Sequence, residues 1–438
     1  MLTVHRTHQA KICNHSQVVD SLDRHGWSAS KLWNVANYHS RTVWEETGEI
    51  PDHGDLKDEL KTHSKYDGLH SQSSQRVLEE LAEAFNSWYG SDDDRDNPPG
   101  YRKKNYYDDK GRRVHEEHPR STVTWKQNGI RHDTKNNRVR LSKGANHKEY
   151  ARAREYILVE YETRPDVEVE NLQQVRAVYD QATERWELHL VCTDDVETPD
   201  APSTEMAGVD LGICNFAAVA YSTDEADLYP GNRLKEDGYY FPKEIAKCDD
   251  SDGKEATRLH HKWSERRTHF FHSLATHIVQ QCVEKGVGRV NIGDLEGVRE
   301  DENGDAKNWG RHGNLDLHGW AFNRFTDILT YKAKAEGIEV VEVSERDTSK
   351  MCCVCGREDD SQRVERGLYV CEMCDAAFNA DVNGAENIRR NINNESNSES
   401  ASSSGGDRST GWLAQPAVYL HDLSRGFQPR AEVVDCKP

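Results

Sequence analysis

GVDLGICNFAAVAYS, residues 208–222, decides the reading of the fold. An apolar run, a Gly-containing turn and a second apolar run describe a buried strand, a turn and another strand. Asp210 stands inside the first of these strands. A carboxylate there is costly unless it is hydrogen-bonded, paired or bound to metal. Downstream come a helix over about Thr257–Lys285, the strand VGRVNIGDL ending near Leu295, a helix from Trp320 to Ala335, and the strand IEVVEVS. A last helix spans about Val382–Asn391. Strands alternating with helices give an α/β domain that opens at Met206. Residues 223–256 read as a polar insertion, and 299–314 as a polar loop.

Three places in this domain offer carboxylates. Asp210 lies in the first strand, Asp294 at the end of a later one with Glu296 and Glu300 just beyond, and Asp381 at the start of the last helix. Taken alone, Asp381 reads as a helix cap or dipole partner. Together the three describe a nuclease centre in which hard oxygen ligands hold two Mg²⁺ ions, one activating water and one stabilising the leaving oxygen.

Cys352-x-x-Cys355 and Cys371-x-x-Cys374 follow the strand IEVVEVS. Four thiolates in two tight pairs describe a structural Zn²⁺ site with no open coordination position. Cys353 points away from such a centre. The chain has 11 cysteines, an odd number, most of them scattered singly. They read as reduced residues of a cytoplasmic protein, outside any disulfide framework. MLTVHRTHQAKIC lacks a signal-peptide core, and no apolar run is long enough to span a membrane.

Upstream, helices are expected over Ser28–Trp44 and over Val77–Trp88, the second ending at Gly90. Residues 91–119 read as loop, followed by short strands at 121–125, 139–141, 156–161 and 186–192. Arg102, Lys103 and Lys104, followed by Tyr106 and Tyr107, suit a nucleic-acid backbone and its bases, or a solvated loop. The net charge of −20 opposes phosphate binding. Either the protein binds no nucleic acid, or it works in concentrated salt, where screening lets a local basic groove act within an acidic coat.

The stretches GVDLGICNFA, VNIGDLEGVRE, WAFNRFTDILTYKAKAEGIEVVEVSERDTSKMCCVCG, YVCEMC and NADVNGAENI cover most of residues 206–390. In that order they resemble the transposon-encoded OrfB/TnpB family, relatives of single-effector CRISPR nucleases. The resemblance implies a ribonuclease-H-like (RuvC) nuclease domain at 206–350 and 376–391, with a C4 zinc ribbon inserted at 351–375. It further implies a β-barrel-like, nucleic-acid-gripping domain at 1–26 and 91–193 with a helical insertion at 27–90; by composition, rich in Ser, Asn, Glu and Gly, residues 392–438 read as a mostly disordered tail. The implied activity is RNA-guided, Mg²⁺-dependent cleavage of double-stranded DNA, with a guide RNA from the transposon end. Asp210 matches the first catalytic carboxylate, Asp381 the last, and the four cysteines the zinc ribbon. Many members read Glu-Asp-Leu at the second motif, where the Glu is catalytic. This chain has Gly293-Asp294-Leu295. A one-residue shift along a strand flips the face, so Asp294 is no direct substitute. Glu300, ahead of Glu296, is the expected replacement. The alternative is a guided DNA-binding protein or repressor that does not cut.

Overall fold

The computed structural model describes residues 2–90, 97–149, 155–165, 167–196, 203–212, 215–250, 253–294, 322–345, 348–365, 367–390 and 411–430. The chain divides into two compact units, Met1–Val196 and Glu197–Pro438. Among the described residues no helix is long and apolar enough to cross a membrane.

The first unit begins with β1 (Leu2–Ile12), α1 (His15–Thr47), α2 (His53–Leu60) and α3 (Ser71–Tyr89). A hairpin of β2 (Lys104–Tyr107) and β3 (Arg113–Glu117) follows, then β4 (Val123–Lys126), β5 (Ile130–Asp133), β6 (Arg138–Ser142) and α4 (Ala145–Glu149). β7 (Tyr156–Glu162), β8 (Leu172–Asp180) and β9 (Arg185–Val196) complete it. The seven-stranded sheet runs β4-β8-β9-β1-β7-β6-β5. Its terminal strands β4 and β5 are joined by the single turn Gln127–Gly129, so the sheet curls into a barrel-like form. Strict alternation drives this: β7 buries Ile157, Val159 and Tyr161 and leaves their neighbours outside. Trp125 and Trp186 fill the core.

The helical segment starts earlier than the sequence suggests. Residues 15–26 join α1 because Val18 and Leu22 continue its apolar stripe onto Ala29, Leu32, Trp33 and Ala36. The expected loop at 91–119 contains the β2–β3 hairpin, whose strands leave Arg113–Glu117 almost wholly in solvent and so carry no apolar signal.

In the second unit, β10 (Glu205–Leu211), β11 (Asn215–Tyr221) and β12 (Glu225–Pro230) form an antiparallel meander. Next come α5 (Asn232–Ile245), α6 (Lys254–Glu284), β13 (Val287–Asp294), α7 (Phe322–Ala335) and β14 (Glu339–Ser344). β13 and β14 add parallel to β10, giving the order β14-β13-β10-β11-β12. This is the ribonuclease-H-like arrangement. The small sheet of β15 (Arg363–Glu365), β16 (Leu368–Cys371) and β17 (Ala376–Asn379) then leads into α8 (Ala380–Arg390).

Period-two alternation sorts the central strands between two layers. Val209, Leu211, Ala217, Val219 and Tyr221 face the core built with α6 and α7. Ala218 and Ala220 face Val382 and Ala385 of α8. Phe216 centres the first core, with Phe270, Phe271, Phe322 and Phe325 at 5.2–5.6 Å between ring centroids.

Two expectations change here. Residues 225–245, read as a polar insertion, supply β12 and α5, since Ala226, Leu228 and Tyr229 lie buried at the sheet. The tail expected to be disordered is ordered at 411–430: α9 (Gly411–Ala414), β18 (Ala417–Asp422) and β19 (Gly426–Pro429) extend the sheet beyond β12. Tyr419 stacks on Tyr229 at 5.6 Å and Phe427 enters the core, which a hydrophilic composition on either side conceals.

Candidate active site

Gly208 and Asp210 occupy the even positions of β10 and therefore face α8. The approach is very close: a Cβ on Gly208 would lie 2.1 Å from the Ala385 carbonyl oxygen. On α8, a Cβ at Gly384 would lie 2.7 Å from Asp210 Oδ2, so only glycine leaves that carboxylate its place.

Asp381 is freed from the capping duty that its position suggests. Asn379 Oδ1 accepts from the backbone N–H groups of Asp381 and Val382, at 3.0 and 3.1 Å. The Asp381 carboxylate instead accepts from Asn215 Nδ2 at 2.8 Å and from Arg363 Nη2 at 3.3 Å. Asn215 opens β11, so two adjacent strands and one helix meet at this point.

Glu296 and Glu300, expected to replace the second-motif acid, lie outside the described residues. The carboxylate that meets Gly293 is Glu345, the residue after β14. In the parallel register Asp294 pairs with Ser344, which brings the end of β14 beside Gly293. A Cβ at Gly293 would lie 2.2 Å from Glu345 Oε1. The missing side chain is thus the space into which Glu345 reaches. Glu345 Oε1 is buried and has no hydrogen-bond partner among the described residues.

The electrostatics match this crowding. Burial, then the charges of Glu345 and Asp381, push the Asp210 carboxyl well above its usual range, against the pull of Arg363. Burial, then Asp294, pushes Glu345 up to about 8. Asp381 is raised by burial, with Asn215 and Arg363 opposing. Three carboxyl groups of raised proton affinity, one with an oxygen that has no partner among the described residues, are a hard-oxygen donor set suited to a divalent cation.

The cysteines form a second, soft donor set. Cys352, Cys355, Cys371 and Cys374 place their sulfurs within 4.8 Å of one another, with Cys352–Cys374 at 3.8 Å and Cys355–Cys371 at 3.5 Å. Zn–S bonds of about 2.3 Å in a tetrahedron put sulfurs about 3.8 Å apart, so the cluster fits zinc. Helix α8 fastens the base of this ribbon. Asn383 and Asn387 each donate to the Met351 carbonyl at 2.8 Å, and Asn383 Oδ1 accepts from Cys353 N at 2.9 Å. Cys353 is therefore held away from the sulfur cluster.

Residues 189–299 match the family described as OrfB_IS605, probable transposase, and residues 322–388 the Cas12f1-like TNB domain. The relatives that the chain matches include proteins named TnpB-like. Over 406 residues it is 24% identical to the TnpB-like protein ORF457 of Acidianus two-tailed virus, covering 82% of this chain and 80% of the relative. The CRISPR-associated endodeoxyribonuclease Cas12f1 of Sulfoacidibacillus thermotolerans is 22% identical over 48% of this chain and 51% of its own length. The putative RNA-guided DNA endonuclease InsQ of Escherichia coli K12 is 24% identical over 48% of this chain and 54% of its own. The chain thus spans about half the length of these last two. Its fold matches that of a Cas12f1–sgRNA–target DNA complex with a TM-score of 0.55 at 14% identity, over 85% of this chain and 83% of that one.

The basic residues singled out in the sequence are engaged within the chain. The Arg102 guanidinium stacks on Trp33 at 3.5 Å, and its backbone N–H donates to Asn34 Oδ1 at 2.6 Å. Lys103 pairs with Glu116 at 3.2 Å. Lys104 is exposed beside the Tyr106 ring. Glu345, Arg363 and Asn215 were not legible as site residues. The only signal for Glu345 was a Glu directly after the strand next to the one that lacks its acid.

Proposed function

We propose that this protein is an RNA-guided, Mg²⁺-dependent DNA endonuclease encoded by an insertion sequence, using a guide RNA from the transposon end and cutting double-stranded target DNA. The names of its relatives support the general kind. The observation that carries the activity is Glu345: its Oε1, without a hydrogen-bond partner among the described residues, lies where a Gly293 side chain would stand, and its charge acts on Asp210. The second-motif acid has moved to the neighbouring strand.

Asp210, Glu345 and Asp381 would hold Mg²⁺, which when bound stabilises developing charge on the phosphodiester and lowers the pKa of a water. The other residues position these three. Asn215 fixes the Asp381 rotamer, and Gly384 makes room for Asp210. Arg363 offers a guanidinium where charge develops on a phosphate oxygen. Zinc at the four cysteines would order the ribbon that carries Arg363. Its net charge of −20 fits work in concentrated salt, where screening shortens the reach of the acidic surface.

The test is cleavage of a matched target by protein co-expressed with its RNA, in Mg²⁺ and high KCl. Wild type is expected to cut, and Asp210→Asn and Glu345→Gln are each expected to bind without cutting. A Glu345→Gln protein that cuts at the wild-type rate sinks the relocation. A wild type that binds but never cuts makes Gly293 the mark of a lost site, and the protein a guided binder.

A further inference from the structure

An acid on β13 would be held in place by the sheet on both sides. Glu345 has no such support. Ser344 is the last residue of β14 in register with β13, opposite Asp294, and Glu345 lies one residue past it. A metal-holding side chain has to stay within about 0.5 Å of its working position, so another tether must act. Thr348 supplies it. Its backbone N–H and its hydroxyl both donate to the Glu345 carbonyl, at 3.1 and 2.8 Å. Thr348 is itself buried, and its own carbonyl accepts from Asn387 Nδ2 at 2.7 Å. The same Nδ2 donates to the Met351 carbonyl at 2.8 Å.

Helix α8 thus presents two neighbouring stripes. Asp381 and Gly384, three apart, border Asp210. Asn383 and Asn387, four apart and wholly buried, hold the chain that leaves β14. One helix therefore governs two of the three carboxylates, carrying Asp381 and clamping the chain behind Glu345. The two asparagines do different work. Asn383 alone already fastens the ribbon, since it donates to the Met351 carbonyl at 2.8 Å and accepts from Cys353 N at 2.9 Å. The extra bond of Asn387 goes to Thr348, on the Glu345 side of the ribbon. An amide suits that place, because its two N–H hydrogens can serve two carbonyls at once, which neither a carboxylate nor an apolar side chain can do.

We propose that Asn387, acting through Thr348, is a positioning residue that holds Glu345 in the divalent-cation site. This rests on the reading of Glu345 as the relocated acid and extends it: with the acid moved off β13, its placement passes from the sheet to helix α8. Asn387 touches no reacting atom. Loss of its amide releases Thr348, and with it the Glu345 carboxylate from its place beside Gly293.

The test measures Mn²⁺ binding to the full chain in high KCl, from the electron paramagnetic resonance signal of free Mn²⁺. The Mn²⁺ bound by wild type and lost in Asp210→Asn defines the site, and Glu345→Gln is expected to weaken it. Asn387→Ala is expected to weaken it about 10-fold, yet to cost less than about twofold more when added to Glu345→Gln. That shortfall is the mark of action through Glu345, whereas a residue that only steadies the fold adds its full loss in both backgrounds. If Asn387→Ala folds poorly, Thr348→Val is expected to weaken the site about threefold and Thr348→Ser to stay near wild type. Wild-type affinity in Asn387→Ala, or equal losses in the two backgrounds, overturns the proposal and leaves the relocated acid standing. Unchanged affinity in Glu345→Gln, or no Mn²⁺ lost in Asp210→Asn, overturns the relocation and this proposal with it. The expected pattern in a protein that never cuts its matched target sustains the role of Asn387 and defeats the nuclease reading.

Discussion

Asp210, Glu345 and Asp381 gather negative charge where water is largely excluded, whereas Arg24, Lys31 and Lys143 gather positive charge around His147 on a surface. Both clusters set like charges together, and neither is neutralised by the chain in proportion. They differ in how the repulsion is borne. At the carboxylates, desolvation dominates and the protein responds by raising proton affinity. At the cations, solvent screens most of the repulsion and only the half-buried members shift. The first cluster is built by close backbone approach, with Gly293 and Gly384 leaving room for specific oxygens. The second is built by helical spacing and one turn, and its side chains remain free to adapt. A site for a small cation needs the former.

The largest effect should come from moving the carboxylate. Gly293→Glu alone is expected to abolish cleavage, because its Cβ would already lie 2.2 Å from Glu345 Oε1. Gly293→Glu combined with Glu345→Gly is expected to restore part of the activity, since the pair exchanges which strand supplies the acid. No recovery in initial cleavage rates would mean that the two positions are not equivalent.

Gly384→Ala is the next step down. Its Cβ would displace Asp210 Oδ2, and cleavage is expected to fall about 10- to 100-fold with binding retained. Stability then separates the two clusters. Without divalent cations, Asp210→Asn is expected to stabilise the protein by about 1–3 kcal/mol by removing a desolvated charge. Lys31→Gln should stay within about 0.5 kcal/mol, as surface changes do. Equal shifts in thermal midpoint would erase the distinction drawn here.

A last effect, seen only on acidification, concerns pH beside the cation cluster. His25 is buried, and burial lowers its pKa to about 3. It stays neutral in the folded protein, while the unfolded chain protonates it below about 6.5. Its contribution is fully present above pH 6.5 and is lost as pH falls toward 3. At pH 5 the loss is about 2 kcal/mol. His25→Gln is expected to flatten the melting temperature between pH 7 and 5, and an unchanged slope would show that another group controls it.

Much of this was legible in residues 206–390. Apolar runs announced the strands, Cys pairs announced the ribbon, and Asp210 was conspicuous because an apolar strand makes a carboxylate expensive. Glu345 was hidden because its role depends on parallel register between β13 and β14, which no local pattern records. Arg363 was hidden for a similar reason: its partner Asp381 becomes a neighbour only once the ribbon folds back on α8. Asp381 resembled a cap until Asn379 was seen to do that work. The hairpin at 417–429 escaped because its apolar residues are few and sit within polar sequence.

Strand β1 has one further consequence. It runs between β9 and β7, with Leu2 paired to Val196 and Lys11 to Glu162. Both partners are made long after it. At about 5–20 residues per second, β1 waits on the order of ten seconds with both edges bare while α1–α3 emerge and coil. Helices close locally and fast, whereas this pairing is non-local and slow. The N-terminal unit is therefore expected to fold helices first and barrel last. Its nascent chain presents a lone strand, open to wrong partners, for most of its own synthesis.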